Sequence, residues 1–149
     1  MEALPEFTMM DQDGHEVTPS SLKGRPALLY FYPKDDTPGC TREACGIRDR
    51  WAQFEAAGIQ VYGISKDDAA KHQKFIAKYD LPFPLLTADD ATLEAFGVWK
   101  EKSMYGRTYW GIARESVLVD ASGKVLKHYP KVKPAEHADE ILADVQAIA

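Results

Sequence analysis

The sequence has few of the residues from which metal centres and disulfide frameworks are built. It contains 2 cysteines and 4 histidines in 149 residues. Two thiols are too few for a structural zinc site without help from histidine, and the histidines show no ligand spacing. They are His15, His72, His128 and His137. We therefore expect no metal, and we interpret each histidine as an ordinary surface or core residue.

Long apolar runs and clusters of basic residues are also missing. The longest apolar stretch, residues 27–32, is far too short to cross a bilayer. The formal net charge is -5, and acidic and basic residues are mixed along the chain. Nucleic-acid binding would need a concentrated patch of lysine and arginine. Neither a membrane nor a nucleic acid is therefore an expected partner.

No repeat, low-complexity tract or linker divides the sequence, which predicts a single domain over residues 1–149. The first residues have neither the basic nor the apolar region of a signal peptide, so we expect a cytoplasmic protein. Reducing conditions in that compartment keep most thiols reduced. The pair Cys40 and Cys45 is therefore better suited to redox chemistry or catalysis than to a structural cross-link.

Hydrophobic patterning predicts strands that alternate with helices. The expected strands are an N-terminal hairpin of residues 7–10 and 15–17, a central strand at 27–32, a strand at 59–64, and a late hairpin of 112–120 and 124–129. The expected helices are residues 40–57, 68–79, 91–96, and a last one that starts at Pro134 and carries Ile141, Leu142, Val145 and Ile148. This pattern predicts an α/β fold with a mixed central sheet flanked by helices and an N-terminal β-hairpin. Such a layout is typical of a thioredoxin-like domain, and the pattern alone also fits other three-layer folds.

The segment after the central strand holds the most informative residues. Thr37 is a favourable helix N-cap, and Pro38 suits the first helical position. Cys40 then lies in the first helical turn, beyond the C-terminal end of the buried strand, where α/β sheets bind ligands. Free N–H groups and the positive end of the helix dipole favour a thiolate at this position, and the thiolate is the nucleophilic form of cysteine.

The spacing of the two cysteines conflicts with a disulfide in a regular helix. Residues i and i+5 of an ideal helix have Cα atoms about 8 to 9 Å apart, on divergent faces. A disulfide needs Cα atoms within roughly 7 Å. Either Cys40 and Cys45 never bond to each other, or the start of the helix unwinds during a reaction cycle.

Pro33, Thr37 and Cys40 stand in the pattern P-x-x-x-T-x-x-C, which resembles the active-site motif of the peroxiredoxins. The run of residues 37–41 followed by Cys45 is similar to the Q-type branch, whose members are also called bacterioferritin comigratory proteins. Segments similar to the family pattern occur along nearly the whole chain, at residues 31–33, 63–67, 81–86 and 109–114. Val117, where relatives often carry an aromatic residue, is a mild packing difference.

The resemblance implies a thiol-dependent peroxidase that reduces hydrogen peroxide and organic hydroperoxides. Cys40 would be the peroxidatic thiolate, which becomes a sulfenic acid as the O–O bond breaks. Thr37 would hydrogen-bond the reacting oxygens, and Pro33 would shield the sulfur from water. Arg114, arriving from a strand, would stabilise the thiolate and orient the peroxide. Glu43 would hold that arginine through a charge-assisted hydrogen bond.

The resemblance also implies that Cys45 is the resolving cysteine. Its thiol would attack the sulfenic acid and form an intramolecular disulfide with Cys40. A thioredoxin or a glutaredoxin-like protein would then reduce that disulfide, so the cycle needs no metal or organic cofactor. Members of the branch are often monomers, and we expect a monomer.

The residues taken by themselves leave other interpretations open. Cys45 could be a small packed residue, in which case the enzyme would use an external thiol, and Arg114 by its own context suits a strand surface. A thiol redox sensor that relays oxidation with little peroxide turnover would need the same reactive thiolate. A thiol–disulfide oxidoreductase would carry C-x-x-C, which is missing, and a redox-inert binding module has no need of the Pro/Thr/Cys constellation.

Overall fold

The computed structural model describes residues 3–148 of the chain, and side chains up to residue 147. The strands are β1 (Met9–Asp11), β2 (Glu16–Val17), β3 (Ala27–Phe31), β4 (Gln60–Ser65), β5 (Leu85–Thr87), β6 (Trp99–Met104), β7 (Arg107–Ile112), β8 (Glu115–Val119) and β9 (Val125–Tyr129). The helices are α1 (Pro19–Leu22), α2 (Pro38–Asp49), α3 (Trp51–Ala56), α4 (Ala69–Tyr79), α5 (Asp90–Ala95) and α6 (His137–Ile148).

A mixed sheet of seven strands, in the order β2-β1-β5-β4-β3-β8-β9, forms the centre of the fold. Strand β4 pairs in parallel with both β3 and β5, while β8 pairs antiparallel with β3 and β9. Strands β6 and β7 form a separate two-stranded hairpin. In the β3–β8 register, Phe31 lies opposite Glu115, so the C-terminal end of β3 and the N-terminal end of β8 share one edge of the sheet.

The central strand β3 is covered on both faces, as its uninterrupted apolar sequence predicts. Alternate residues of a strand point to opposite faces. Leu28 and Tyr30 accordingly belong to the hydrophobic cluster that packs under α2, α3, α4 and α6, whereas Leu29 and Phe31 belong to the cluster on the other face. All five residues of β3 are buried. This packing on both faces fixes the C-terminal end of β3, which leads into α2, the helix that carries both cysteines.

The predicted α/β class and the N-terminal hairpin are confirmed, although the bounds of the hairpin strands and the start of the last helix differ from the prediction. The hairpin strands are short, and β1 joins the main sheet through antiparallel pairing with β5. The last helix begins at His137 and not at Pro134, because the amides of Glu136 and His137 both donate to the Lys133 carbonyl and form a preceding turn. Of the residues expected on this helix, Ile141 and Leu142 are buried. The side chain of Ile148 lies outside the described part of the chain.

The prediction of one continuous helix over residues 40–57 is wrong. Helix α2 begins two residues earlier, at Pro38, and ends at Asp49, and Arg50 departs from helical geometry with φ -111° and ψ 18°. The Arg50 guanidinium bonds the carboxylate of Asp139 on α6. The break redirects the chain so that Phe54 of α3 is fully buried in the core.

Four elements were not predicted, namely α1, β5, β6 and β7. The predicted strand over residues 112–120 is also interrupted, since β7 ends at Ile112 and β8 begins at Glu115. Most side chains of β6 and β7 are exposed, so the hairpin has no apolar face from which period-two patterning can be recognised. Within residues 3–148, no helix is both long enough and apolar enough to span a membrane.

Substitution of Gly63 by alanine should destabilise the fold, because β4 passes very close to its neighbours at this residue. A Cβ added there would lie 2.7 Å from both Tyr30 Oη and Leu85 Cδ2. Both side chains are buried and cannot retreat into solvent. We expect Gly63→Ala to lower the free energy of unfolding by about 1–3 kcal/mol, measured by urea denaturation.

The matched control is Gly46→Ala in helix α2, where the nearest atom to an added Cβ is 3.9 Å away. Alanine favours helix by up to about 1 kcal/mol over glycine, so this variant should be as stable as the wild type or more stable. A Gly63→Ala protein with undiminished stability would contradict the packing argument.

Candidate active site

The candidate site is built on the loop between β3 and α2 and on the first turn of α2. Thr37 is the N-cap residue by backbone conformation, and Pro38 occupies the first helical turn, as predicted. The Thr37 side chain makes no capping bond, however, and its hydroxyl donates to the Lys34 carbonyl at 2.9 Å. Cys40 lies in the first turn and is 1% exposed. The sulfur is therefore held at a helix N-terminus and largely out of water.

Arg114 is brought directly to the candidate nucleophile. Its Nη2 atom donates to Cys40 Sγ at 3.1 Å, a contact between residues 74 positions apart in sequence. A Cβ added at Gly39 would lie 2.7 Å from the same Nη2 atom, so the guanidinium rests against the glycine backbone. A guanidinium so close to the sulfur favours the negatively charged thiolate.

Arg114 does not arrive from a strand, contrary to the prediction, but lies in the two-residue link between β7 and β8. Backbone bonds fix this link on both sides. The Ala113 amide donates to the Val98 carbonyl at 2.8 Å, and the Val132 amide donates to the Arg114 carbonyl at 3.1 Å. The guanidinium therefore points at α2 from an anchored backbone and not from a mobile loop.

Glu43 lies one turn after Cys40 on α2 and is 1% exposed. Its Oε1 atom is 3.8 Å from Arg114 Nη1, which is within ion-pair distance but too long for the predicted charge-assisted hydrogen bond. Neither carboxylate oxygen has a hydrogen-bond partner among the described residues. Burial raises the pKa of Glu43 to about 8, and the nearby Arg114 opposes that rise. The carboxyl is therefore mostly protonated at neutral pH.

Cys45 lies further along α2, is partly exposed, and carries a free thiol, as does Cys40. Partial burial raises the pKa of the Cys45 thiol above its ordinary value, and the positive charge of Arg48 partly opposes that rise. Because α2 is helical throughout Pro38–Asp49, the two sulfur atoms cannot bond in this conformation, as the spacing predicts. Pro33 is half-buried in the loop before α2, and its shielding of the sulfur stays a prediction.

Lys102 on β6 is a second cation near the sulfur that the sequence analysis missed. Its ammonium donates to the Ile112 carbonyl. Partial burial, together with the charge of Arg114, lowers the pKa of Lys102 below its ordinary value, and the nearby Cys40 partly opposes that decrease. No sequence signal identified Lys102, because the hairpin that carries it was not predicted.

The N-terminal turn brings Asp11, Asp13 and His15 together, each with one potential ligand atom within 4.8 Å of the others. The sequence analysis found no such grouping. Asp11 Oδ1 already accepts bonds from the amides of Asp13 and His15, both at 2.9 Å. These bonds close the hairpin turn, and we assign the cluster no metal.

Comparisons with known proteins agree with the geometry. Residues 1–128 match the AhpC/TSA family. A Bcp-type peroxiredoxin of Coxiella burnetii is 48% identical over 95% of this chain and 94% of that protein. Peroxiredoxin Bcp of Escherichia coli (strain K12) is 45% identical over 95% of this chain and 91% of that protein.

A solved structure of the bacterioferritin comigratory protein of Xanthomonas campestris matches the fold with a TM-score of 0.89 at 38% identity, covering 95% of this chain and 91% of that chain. The fold and the cysteine site together define a thioredoxin-like thiol peroxidase. The chain belongs to the peroxiredoxins, in the Bcp or Q branch, which are peroxidases of the oxidoreductase class. The family resemblance and the fold class inferred from the sequence are confirmed.

Substitution of Gly39 by alanine should displace the Arg114 guanidinium from the sulfur, because the new Cβ would overlap Nη2. A hydrogen bond from a charged donor contributes about 1.5–3 kcal/mol. We therefore expect Gly39→Ala to slow alkylation of Cys40 by iodoacetamide about tenfold at neutral pH. The measurement uses a Cys45→Ser background, with Gly46→Ala as the control in the same helix. An unchanged rate would refute the positioning by Gly39.

Replacement of Glu43 by glutamine should change how stability depends on pH. The folded-state pKa of Glu43, about 8, is above the ordinary value of 4.5. As pH rises through this window the unfolded chain releases the proton and the folded chain retains it, so wild-type stability falls. Glutamine does not titrate. The free energy of unfolding of Glu43→Gln relative to wild type should rise by a few kcal/mol between pH 5 and pH 8, at roughly 1.4 kcal/mol per unit of pKa shift.

Urea denaturation of both proteins at the two pH values measures this difference, in which the other titrating groups cancel. A difference between the two proteins that stays constant with pH would show that Glu43 is ionised in the folded state throughout.

Proposed function

We propose that this chain reduces hydrogen peroxide and organic hydroperoxides with thiols as the source of electrons. The observation that carries the proposal is the 3.1 Å contact between Arg114 Nη2 and the sulfur of Cys40 in the first turn of α2. The guanidinium and the helix N-terminus both favour the thiolate. The related Xanthomonas campestris protein is described as having alkyl peroxide reduction activity.

In the first step the Cys40 thiolate attacks one peroxide oxygen. An S–O bond forms as the O–O bond breaks, the sulfur is oxidised to a sulfenic acid, and the other oxygen leaves as water or an alcohol after taking up a proton. Arg114 Nη1 has no hydrogen-bond partner among the described residues and is free to donate to the peroxide. The Thr37 hydroxyl donates a hydrogen bond to the Lys34 carbonyl, so its oxygen accepts a hydrogen bond from the peroxide O–H.

In the second step the Cys45 thiol attacks the Cys40 sulfenic acid. The two sulfur atoms form a disulfide and water is released, which requires the start of α2 to unwind. A thioredoxin or a glutaredoxin-like protein then reduces the disulfide. Since such reductants act where thiols are kept reduced, the cytoplasm is the matching compartment.

The remaining site residues support the nucleophile. Glu43 limits the movement of Arg114 by lying against it, with Oε1 3.8 Å from Nη1, and Pro33 shields the sulfur from water. The working form in this proposal is a monomer.

Peroxide consumption by the wild type, Cys40→Ser and Cys45→Ser tests the cycle. With a thioredoxin, its reductase and NADPH, the wild type should turn over continuously. Cys40→Ser should be inactive, because it lacks the nucleophile, and Cys45→Ser should react once and then stall. Full sustained activity of Cys45→Ser would reduce that residue to a packing role. A wild type that consumes no peroxide with any thiol donor would instead favour a redox sensor or a binding module.

A further inference from the structure

A fully buried histidine on α4 contacts the loop that carries the active-site motif. His72 is 0% exposed, and its Nδ1 atom is 2.6 Å from Asp35 Oδ2. Its Nε2 atom is 3.1 Å from the Leu86 carbonyl oxygen at the sheet. Asp35 itself is 8% exposed and lies between Pro33 and Thr37. His72 thus joins the centre of the motif loop to the core.

Each ring nitrogen of His72 faces an oxygen atom at hydrogen-bond distance. The carbonyl of Leu86 only accepts, so Nε2 carries a proton. Nδ1 and the Asp35 carboxyl, 2.6 Å apart, share the other hydrogen bond of the ring. A buried pair of this kind adds little to stability compared with apolar packing, but the loss of one partner strands the other without a hydrogen bond. Its main effect is therefore on geometry.

The other polar atoms of Asp35 are also bonded to the core. Oδ1 accepts a hydrogen bond from the Tyr32 hydroxyl. The Asp35 amide donates to Asp67 Oδ2 at 2.8 Å, and the Ser65 hydroxyl donates to the same oxygen at 2.7 Å. The loop is thus held from β3, from the end of β4, and from α4.

Helix α4 also holds the next residue of the loop and the far end of α2. Asp36 has a φ of 57°, a left-handed conformation that its contacts must maintain. Lys78 Nζ and the Tyr79 hydroxyl donate to its carboxylate at 2.7 and 2.8 Å. Further along, Arg48 Nη1 donates to the Tyr79 carbonyl at 2.7 Å. Both cysteines lie between these two anchors.

We propose that His72 is a positioning residue of the peroxidase site, which fixes the motif loop on α4 through Asp35, and that this contact and the Arg48–Tyr79 bond together confine the unwinding of α2 to residues 37–47. The inference rests on the proposed function, in which α2 must unwind for the disulfide to close. Its first consequence is that Pro33 and Thr37 keep their places while the peroxide reacts. Its second consequence is that residues 37–47 move on oxidation while the residues on either side of them stay in place.

The first consequence is tested by the rate at which peroxide oxidises Cys40, in a Cys45→Ser background and by quenched-flow mass spectrometry. We expect His72→Gln to lower the second-order rate constant about tenfold or more, because small misplacements of reacting groups are costly. Asp35→Asn should have a similar effect, and the double variant should be no slower than the slower single variant, since both act through one contact.

His137→Gln is the matched control. His137 is also 0% exposed and bonded at both ring nitrogens, to Ser116 at 2.7 Å and to Glu140 at 3.0 Å, but it joins α6 to β8. It should lower thermal stability much as His72→Gln does and leave the rate constant within about twofold of the wild type. Equal rate constants for His72→Gln and the wild type would overturn the positioning role.

The second consequence is tested on the wild type, so it does not depend on the folding of a variant. Hydrogen exchange of the reduced and the disulfide forms is compared. Amides of residues 41–47, which donate within α2, should lose protection on oxidation, while the Asp35 amide, which donates to Asp67, keeps it. Loss of protection at Asp35 in the oxidised wild type would overturn the confinement. A wild type that neither consumes peroxide nor forms the disulfide would refute the proposed function itself, which is a separate outcome.

Discussion

The contact between the Arg114 guanidinium and the Cys40 sulfur is the interaction on which the site depends. It joins the first turn of α2 to the link before β8, and only the sheet register makes it possible. Phe31, the last residue of β3, pairs with Glu115, the first residue of β8. The residues that follow β3 and the residue that precedes β8 therefore emerge at the same edge of the sheet. A register shifted by one residue would send Arg114 to the opposite face.

The charges around the sulfur are arranged so that the positive ones prevail. Arg114 contacts Cys40 directly, and Lys102 lies close enough for the two groups to influence each other. Glu43 is the nearest assigned acid, but burial raises its pKa to about 8. Below that pH its carboxyl is mostly neutral and does not cancel the guanidinium charge. The neutral acid therefore leaves Arg114 as a charged partner of the sulfur.

Local features of the site were predictable because they depend on residues close in sequence. Thr37, Pro38 and Cys40 define a helix start by their order alone, and the helix places the cysteine at a positive N-terminus. The five apolar residues of β3 predicted a doubly covered strand for the same reason. The Thr37 side chain differs from the expectation, since it makes no capping bond and its hydroxyl donates to the Lys34 carbonyl.

Features that depend on contacts distant in sequence were missed or misassigned. Arg50, where the helix breaks, pairs with Asp139 on α6, and no local pattern indicates that contact. The hairpin of β6 and β7 is mostly exposed and leaves no periodic apolar signal, so Lys102 was not found. His72 was interpreted as an ordinary surface or core residue, and no local pattern indicates its 2.6 Å contact with Asp35, which is 37 residues away in sequence.

The sequence by itself determined the class of fold, the order of the main elements, the family, and the two cysteines with their incompatible helical spacing. These follow from periodicity, helix-start chemistry and a motif of adjacent residues. The tertiary structure was needed to show that Glu43 lies 3.8 Å from Arg114 without a hydrogen bond. It was also needed to show that α4 contacts both the loop before the two cysteines and the part of α2 that follows them. Distances and burial between remote residues arise from the packing of the whole chain, because they depend on sheet register and helix placement and not on neighbours in sequence.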